Sequence, residues 1–438
     1  MTPDEKRLLR MVTACIAVIG VAVVCFNLLY LFVPAGQRPV HGFAPDMPAV
    51  YARAFRPPDL VFSPKAFTGI SLGLQATMWA AFFVAVALVR KLGSGGTDTA
   101  ALRRIAIGAA VVSLALILTP PALSSDLFRY AVFGRMIVTR GLNPYVTPGS
   151  ALAGDALLAL ADSRNIPTHY GPVFTGLSVL AAGVAGGGPI RTAIAFKVLA
   201  TGFGAIAAWS VAVLARREGR GGALPLALAA LNPLVLIETA GNAHNEMVMM
   251  GLAMAGLVMA SKGRRHLGFA LIIASVHVKW VTAPLAAFVA LAWLGEMKGV
   301  RARAREMATL LLVAVALTVA IYLPFWASGG IVSTTKRMLA LGSAHGETNA
   351  ARLLFVATMA IAVVVVARFG SRHVLEMGAL ACLAFVLFVF PWWLPWYLVA
   401  PFTLLAVGPF ARLNTTLFAL TTLFSLLLMA NWALLVPR

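Results

Sequence analysis

Apolar runs close to the roughly 20 residues that carry a helix across a bilayer recur along the whole chain. The first four are Met11 to Val33, Phe67 to Val89, Ile105 to Leu123 and Ile190 to Leu214, and others follow at about 223–240, 246–260, 307–325, 350–367, 377–393, 395–408 and 415–435. With 61% of residues apolar and 11% charged, against about a quarter charged in an ordinary globular chain, the sequence excludes a soluble enzyme, a secreted disulfide scaffold and a disordered protein. It predicts an all-α polytopic membrane protein, a single domain over 1–438. Cys15, Cys25 and Cys382 lie within apolar runs and supply neither a disulfide framework nor a metal cage.

Charge sets the orientation. Cytoplasmic loops collect Lys and Arg, and the stretch from Leu267 to Leu294 has basic residues on both flanks, Lys262, Arg264 and Arg265 before it and Lys298, Arg301, Arg303 and Arg305 after it. It therefore reads as a helical hairpin returning to the side it left. Counted as two passes, it brings the expected number of crossings to about 13. With the N-terminus inside, 20 of the 35 basic residues fall in short cytoplasmic segments. The apolar run after Met1 to Arg10 carries no A-x-A cleavage signal and reads as a span or an uncleaved anchor.

Val173 to Gly186 is apolar but only about 14 residues long, and as a crossing it would move Arg216, Arg217 and Arg220 outside. As an external helix on the membrane surface it keeps the charge bias intact. Residues 124–189 then form one long external loop with amphipathic helices at about 127–140 and 170–186. Loops of that length are usually functional. The expected division is two N-terminal helices in 1–104, a catalytic module in 105–300 and C-terminal helices in 301–438.

Of the fifteen acidic residues, the external set is Asp46, Asp59, Asp126, Asp155, Asp162, Glu238, Glu246 and Glu347. Asp126 opens the external loop in Ser-Asp-Leu-Phe-Arg-Tyr. On a helix starting there, Arg129 and Tyr130 at i+3 and i+4 share its face. The alternative is a plain helix N-cap with Arg129 as its ion-pair partner. A second polar cluster, Gly241-Asn242-Ala243-His244-Asn245-Glu246, follows Glu238 between two spans. One histidine with nearby carboxylates lacks the H-E-x-x-H or C-x-x-C spacing of a zinc site, so neither a metal nor a cofactor is expected.

Lys279 lies at the hairpin turn, where an ionisable group at membrane depth usually faces a cavity or an anion, or else snorkels to the surface. Residues 326–349 add Arg337 and His345, and Pro391-Trp392-Trp393-Leu394-Pro395-Trp396-Tyr397 forms an aromatic cluster. Such a cluster serves as an interfacial belt or as a wall for a lipid or sugar.

These motifs together resemble the GT-C glycosyltransferases that use polyprenyl-phosphate sugars, most of all the bacterial polyprenol-phosphate-mannose-dependent α-mannosyltransferases, the α-1,6 type included. The resemblance runs through Ser-Asp-Leu-Phe-Arg-Tyr, Gly134-Arg135, Gly141-Leu142-Asn143-Pro144-Tyr145, Tyr170-Gly171-Pro172 and the triplet at His244, to the late Trp-Tyr-Leu cluster. It covers about 124–400. It implies a GT-C-like bundle, Asp126 as general base, and Arg129, Arg135, Lys279 and Arg337 as cations for the donor phosphate. Substrate contacts are then expected from Tyr130, Tyr145, Tyr170, His244, Asn245, Glu246, His345, Trp393, Trp396 and Tyr397.

The family's usual His-Asn-Asp is His244-Asn245-Glu246 here. The implied partners are a polyprenyl-phosphate sugar donor, a lipid-linked or glycan acceptor and membrane lipids, in a bacterial plasma or inner membrane with the site on the external or periplasmic side. A transporter or flippase of a lipid-linked sugar is the competing expectation, disfavoured by polar motifs gathered on one face rather than at a midplane. Basic residues scattered through short loops exclude a nucleic-acid binder.

Overall fold

The computed structural model of the chain describes residues 1–32, 62–92, 96–121, 124–161, 164–325, 348–389, 393–408 and 412–434. Among the described residues the chain is helical, with no strand. Three long helices open the fold: α1 (Pro3–Leu29), α2 (Pro64–Lys91) and α3 (Gly96–Ile117). The long loop after α3 contributes α4 (Asp126–Arg140) and α5 (Pro172–Ala185), and α6 (Pro189–Arg217) returns through the bundle. Next come α7 (Ala223–Ala230) and α8 (Pro233–Leu236), the latter running into a π-helical turn at Ile237–Gly241. The rest are α9 (Glu246–Ser261), α10 (Arg265–Val276), α11 (Ala283–Glu296), α12 (Val300–Tyr322), α13 (Asn349–Phe369), α14 (Val374–Ala384), α15 (Val399–Leu405) and α16 (Arg412–Leu434).

Seven helices among the described residues are long and apolar enough to cross a membrane, and an eighth span results if the pair Ala223–Ala230 and Pro233–Gly241, bent by 56°, counts as one. The expected 13 also included shorter pieces, for example α9 and the two arms of the hairpin, Arg265–Val276 and Trp280–Glu296. That hairpin is present, its arms joined through His277–Lys279. The 14 residues of α5 reach about 21 Å at 1.5 Å each, short of the roughly 30 Å of a hydrocarbon core.

Local chemistry explains where the site helices begin and end. Proline occupies the first turn of α5, α6 and α8, where its missing N–H costs nothing. Gly141 and Gly186 close α4 and α5 in the left-handed region at φ 62° and 61°, a conformation that L side chains resist. The two helices meet face to face, and at Gly134 even a methyl group would overlap the Ser178 carbonyl.

The core follows the amphipathic faces: α1 packs along α2 and α3, α6 along α9, and α9 along α10. At the basic end, Asp98 takes Arg216 at 3.0 Å and the N–H groups of Gly222 and Ala223 at 3.1 and 2.9 Å, so it caps α7. Arg265 pairs with Glu296 at the same end, bracing the hairpin. The opposite end of the bundle carries Asp126, the His244 segment and Lys279.

Candidate active site

Asp126 is the first residue of α4. Its carboxylate does not cap the helix in the usual way, because the N-cap position belongs to Ser125 and the Asp126 N–H donates to Ser124 Oγ at 3.1 Å. Instead Oδ1 accepts from Arg129 Nη2 at 2.8 Å, while Oδ2 accepts from the phenols of Tyr130 at 3.3 Å and Tyr170 at 3.4 Å. Arg129 also donates to the Tyr170 oxygen and lies 5.3 Å from that ring's centroid. The Tyr130 ring stands edge-on to Tyr170 and Phe174, with centroids 4.8 and 4.7 Å away. Asp126, Tyr130, Tyr170 and Phe174 are buried, Asp126 keeping 8% of its surface, and Arg129 is partly buried.

The second half of the loop is pinned from two directions. Tyr145 Oη donates to the Tyr170 carbonyl at 2.9 Å and shares a 2.8 Å hydrogen bond with Thr175 Oγ1. Gly171 N–H donates to Val278 O at 3.1 Å and Val173 N–H to His277 O at 3.2 Å. Backbone thus meets backbone where the loop passes the hairpin turn, and a Cβ at Gly171 would overlap the His277 carbonyl. Those two bonds carry Lys279, the next residue, to the edge of the Asp126 group.

The His244 segment supplies the other wall. The π-helical turn displaces Glu238 from a regular helical register, and Ala243 sits at φ 58°. Inserted π turns and left-handed non-glycine residues are costly and gather at functional sites. Buried Glu238 accepts from His244 Nδ1 at 2.8 Å and Asn242 Nδ2 at 3.1 Å. The His244 ring stacks on Trp396, centroids 4.1 Å apart. Glu246 pairs with Lys279, whose Nζ also lies 4.3 Å over the Tyr397 ring.

Several polar atoms here, all buried, have no hydrogen-bond partner among the described residues: His244 Nε2, both amide atoms of Asn245, and one oxygen each of Glu238 and Glu246. Buried polar groups are rarely left so. A cavity of 10 Å³ touches Glu246 and Tyr397, about the room one water needs.

The two walls share one electrostatic centre. Burial works against ionisation of Asp126, yet Arg129, then His244, Lys279 and His169 outweigh it and hold the carboxyl below its ordinary range. His169 responds the opposite way: desolvation, with Arg129 adding to it, pushes its imidazole down to about 3. Its ring lies against Tyr170, centroids 4.3 Å apart. Among the described residues no three His, Cys, Asp or Glu side chains gather closely enough to hold a metal ion.

The profile of the family described as "Alpha-(1->6)-mannopyranosyltransferase, N-terminal domain" matches residues 50–295, more than half of the chain. The chain belongs to this mannopyranosyltransferase family. Alpha-(1->6)-mannopyranosyltransferase A of Corynebacterium glutamicum is 30% identical over 207 residues, covering 47% of this chain and 42% of the relative. The Mycobacterium tuberculosis protein of the same name is 28% identical over 205 residues, covering 47% of this chain and 40% of that one. The chain therefore spans less than half the length of these curated relatives in the matched region. No solved structure matches it.

Within this family member the expected site residues sort into four groups. Asp126, Arg129, Tyr130, Tyr170, His244, Asn245, Glu246, Lys279, Trp396 and Tyr397 share the region just described. Tyr145 contributes from behind, through the Tyr170 backbone. Arg135 stands apart: it binds Asp155 through Nε at 2.7 Å, nine residues and about 13 Å along α4 from Asp126. Trp393 is 56% exposed and stands edge-on to Phe424, while Trp396 carries the stacking on His244. Arg337 and His345 lie outside the described residues. Two members were not anticipated, His169 and the role of Glu238 in holding His244.

Proposed function

We propose that the protein transfers mannose from a polyprenyl-phosphate donor to a lipid- or glycan-linked acceptor on the external face, by a single inverting displacement. The observation that carries this is a buried carboxylate, Asp126, held by Arg129, Tyr130 and Tyr170, beside a wall of buried polar atoms that have no hydrogen-bond partner among the described residues. Sugar transfer from a phosphodiester needs such a pair of features. The acceptor oxygen attacks the anomeric carbon, the bond from that carbon to the phosphate oxygen breaks, and the acceptor's proton passes to Asp126. One base of this kind is worth about 10²–10⁴ in rate.

The low proton affinity of Asp126 keeps it ionised and ready, and the acceptor hydroxyl becomes acidic as its new bond forms. The leaving phosphate gains a second negative charge at the same moment. Arg129 and Lys279 stand between the two charges: as Asp126 is neutralised its hold on Arg129 weakens, and the guanidinium can follow the charge to the phosphate. Inversion turns a β-linked donor into an α-linked product, in keeping with the α-(1->6) linkage named for the relatives. His244 Nε2 and the Asn245 amide would serve donor or acceptor hydroxyls.

The site's placement at the end opposite the basic loops supports an external reaction. Polar groups gathered at that one end favour transfer over transport. The test is incubation of purified protein with synthetic polyprenyl-phosphate mannose and oligomannoside acceptors, with the product anomer read by NMR. Expected is an α-linked product that disappears with Asp126→Asn while donor binding persists. A folded Asp126→Asn protein with near-normal turnover overturns the proposal, as does vectorial movement of the donor in vesicles without a new linkage.

A further inference from the structure

One ionisable group inside the bundle is not used by the chemistry above. Lys197, in the first half of α6, is fully buried and has no acidic partner among the described residues. Its Nζ donates to the carbonyls of Leu116, in the last turn of α3, at 2.9 Å and of Thr119, just beyond it, at 2.5 Å. An amine donor there satisfies carbonyls at the helix C-terminus. An ionisable residue enclosed by a membrane bundle is expensive and is kept for a purpose.

The surroundings indicate the purpose. Thr119 Oγ1 accepts from Asn27 Nδ2 of α1 at 3.1 Å and donates to Leu116 O at 2.7 Å, so Lys197, Thr119 and Asn27 form one buried polar network. On one side the chain leaves Thr119 through Pro120 and Pro121, whose fixed φ angles stiffen the first step out of α3, and Asp126 follows five residues later in the sequence. On the other side Asn27 lies against Gly241, the end of the π-helical turn that carries Glu238; a Cβ at Gly241 would come 2.7 Å from Asn27 Nδ2. Phe196, the neighbour of Lys197, packs toward Tyr130, ring centroids 6.4 Å apart. The network therefore ties the origin of the Asp126 loop to the back of the His244 segment.

We propose that Lys197 is a positioning residue which, through the Leu116 and Thr119 carbonyls and the Asn27 contact, sets Asp126 at its working distance from the His244 wall. It touches no substrate. This rests on the assignment of Asp126 as the base. Donor binding draws mainly on the His244 wall and Lys279, so loosening the start of α4 affects the proton transfer more than the Michaelis complex, and a displacement near 1 Å costs about 10²-fold in rate.

Mannosyl transfer from synthetic polyprenyl-phosphate mannose is measured on the purified full chain for Lys197→Met, Lys197→Arg, Asn27→Leu and Asp126→Asn. Lys197→Met keeps the length of the side chain and removes its donors; the expected result is kcat lowered by about 10²-fold with the donor KM nearly unchanged. Lys197→Arg recovers part of kcat. Asn27→Leu lowers kcat by about tenfold and adds little in combination with Lys197→Met, because both act on one turn and such neighbours are not additive.

A Lys197→Met protein with normal kcat, or one whose KM rises as much as its kcat falls, overturns the inference, as does full additivity with Asn27→Leu. If Lys197→Met cannot be isolated folded, Asn27→Leu decides alone, and unchanged kcat there is a refutation. An active Asp126→Asn protein instead removes the base assignment, so the two failures are distinguishable.

Discussion

The two walls of the site differ in how their polar atoms are spent. On the α4 and α5 side, Asp126 accepts from Arg129, Tyr130 and Tyr170, and Tyr145 is bonded to both Tyr170 and Thr175. On the His244 side, atoms of His244, Asn245, Glu238 and Glu246 are buried without hydrogen-bond partners among the described residues. A network with most of its polar atoms paired, Ser125 Oγ being an exception among the described residues, is rigid and costs little further when substrate arrives. An unsatisfied one is a standing cost of folding, about 1–3 kcal/mol for each group, which a ligand can relieve. The first wall is suited to hold a base still and the second to receive hydroxyls or phosphate oxygens.

The largest expected break in that division is Asp126→Asn. The amide keeps the shape of the first wall but cannot take a proton, so kcat should fall by about 10²–10⁴-fold while donor affinity changes little. Rapid-quench measurement of transfer alongside donor titration checks both halves. A proportional loss of affinity would place Asp126 on the binding side instead.

Next in size is the ion pair that joins the walls. Removing one partner of a buried pair leaves an uncompensated charge, at a cost of about 3–5 kcal/mol. Glu246→Gln, which strands Lys279, and Lys279→Met, which strands Glu246, should each lower the melting temperature markedly. The double variant should regain most of the stability but not the activity. Thermal unfolding in detergent reports the first and the transfer assay the second.

Asn245→Ala sharpens the contrast from the opposite direction. The Asn245 side chain has no hydrogen bonds among the described residues to lose, so its truncation should leave stability nearly unchanged or raise it, while KM for donor or acceptor rises by about tenfold, the worth of a 1.4 kcal/mol hydrogen bond. Tyr145→Phe should do the reverse, costing about 1 kcal/mol of stability with little change in KM. Stability and KM measured on both variants give a crossed pattern if the walls differ as described.

The sequence shows the parts of this site that sit close together in the chain. Asp126, Arg129 and Tyr130 meet because i+3 and i+4 residues share a helix face, and the 14 residues of α5 already mark it as too short for a crossing. Pairings that depend on the tertiary fold are not visible in that way. Arg135 looks as available for phosphate as Arg129 until Asp155, twenty residues later, is found on it. His169 carries no spacing that marks it, since its neighbours Arg129 and Asp126 lie about forty residues away. Glu238 stands six residues before His244, off any helical period, and reaches it only because the chain is wound as a π turn there. Trp393 and Trp396 share a motif, yet an extended residue at Leu394, φ −101° and ψ 135°, sends them to different surroundings.

The smallest expected effect concerns His169 and the sign of its titration. Its imidazole is held near 3 in the folded chain, against about 6.5 when unfolded. Between these values the unfolded chain binds the extra proton, so the group lowers stability as pH falls from about 6.5 toward 3. Asp126 adds to the loss only lower down: its folded value is depressed, so its contribution is complete above the unfolded value of about 3.9 and disappears beneath it. The share of stability that rests on His169 should therefore begin to decline already near pH 6, before Asp126 is protonated. In His169→Gln, which cannot titrate, that early decline should shrink and the fall near pH 4 remain. An unchanged slope between pH 6.5 and 5 would mean that the His169 imidazole, which is only partly buried, keeps its ordinary proton affinity in the folded chain.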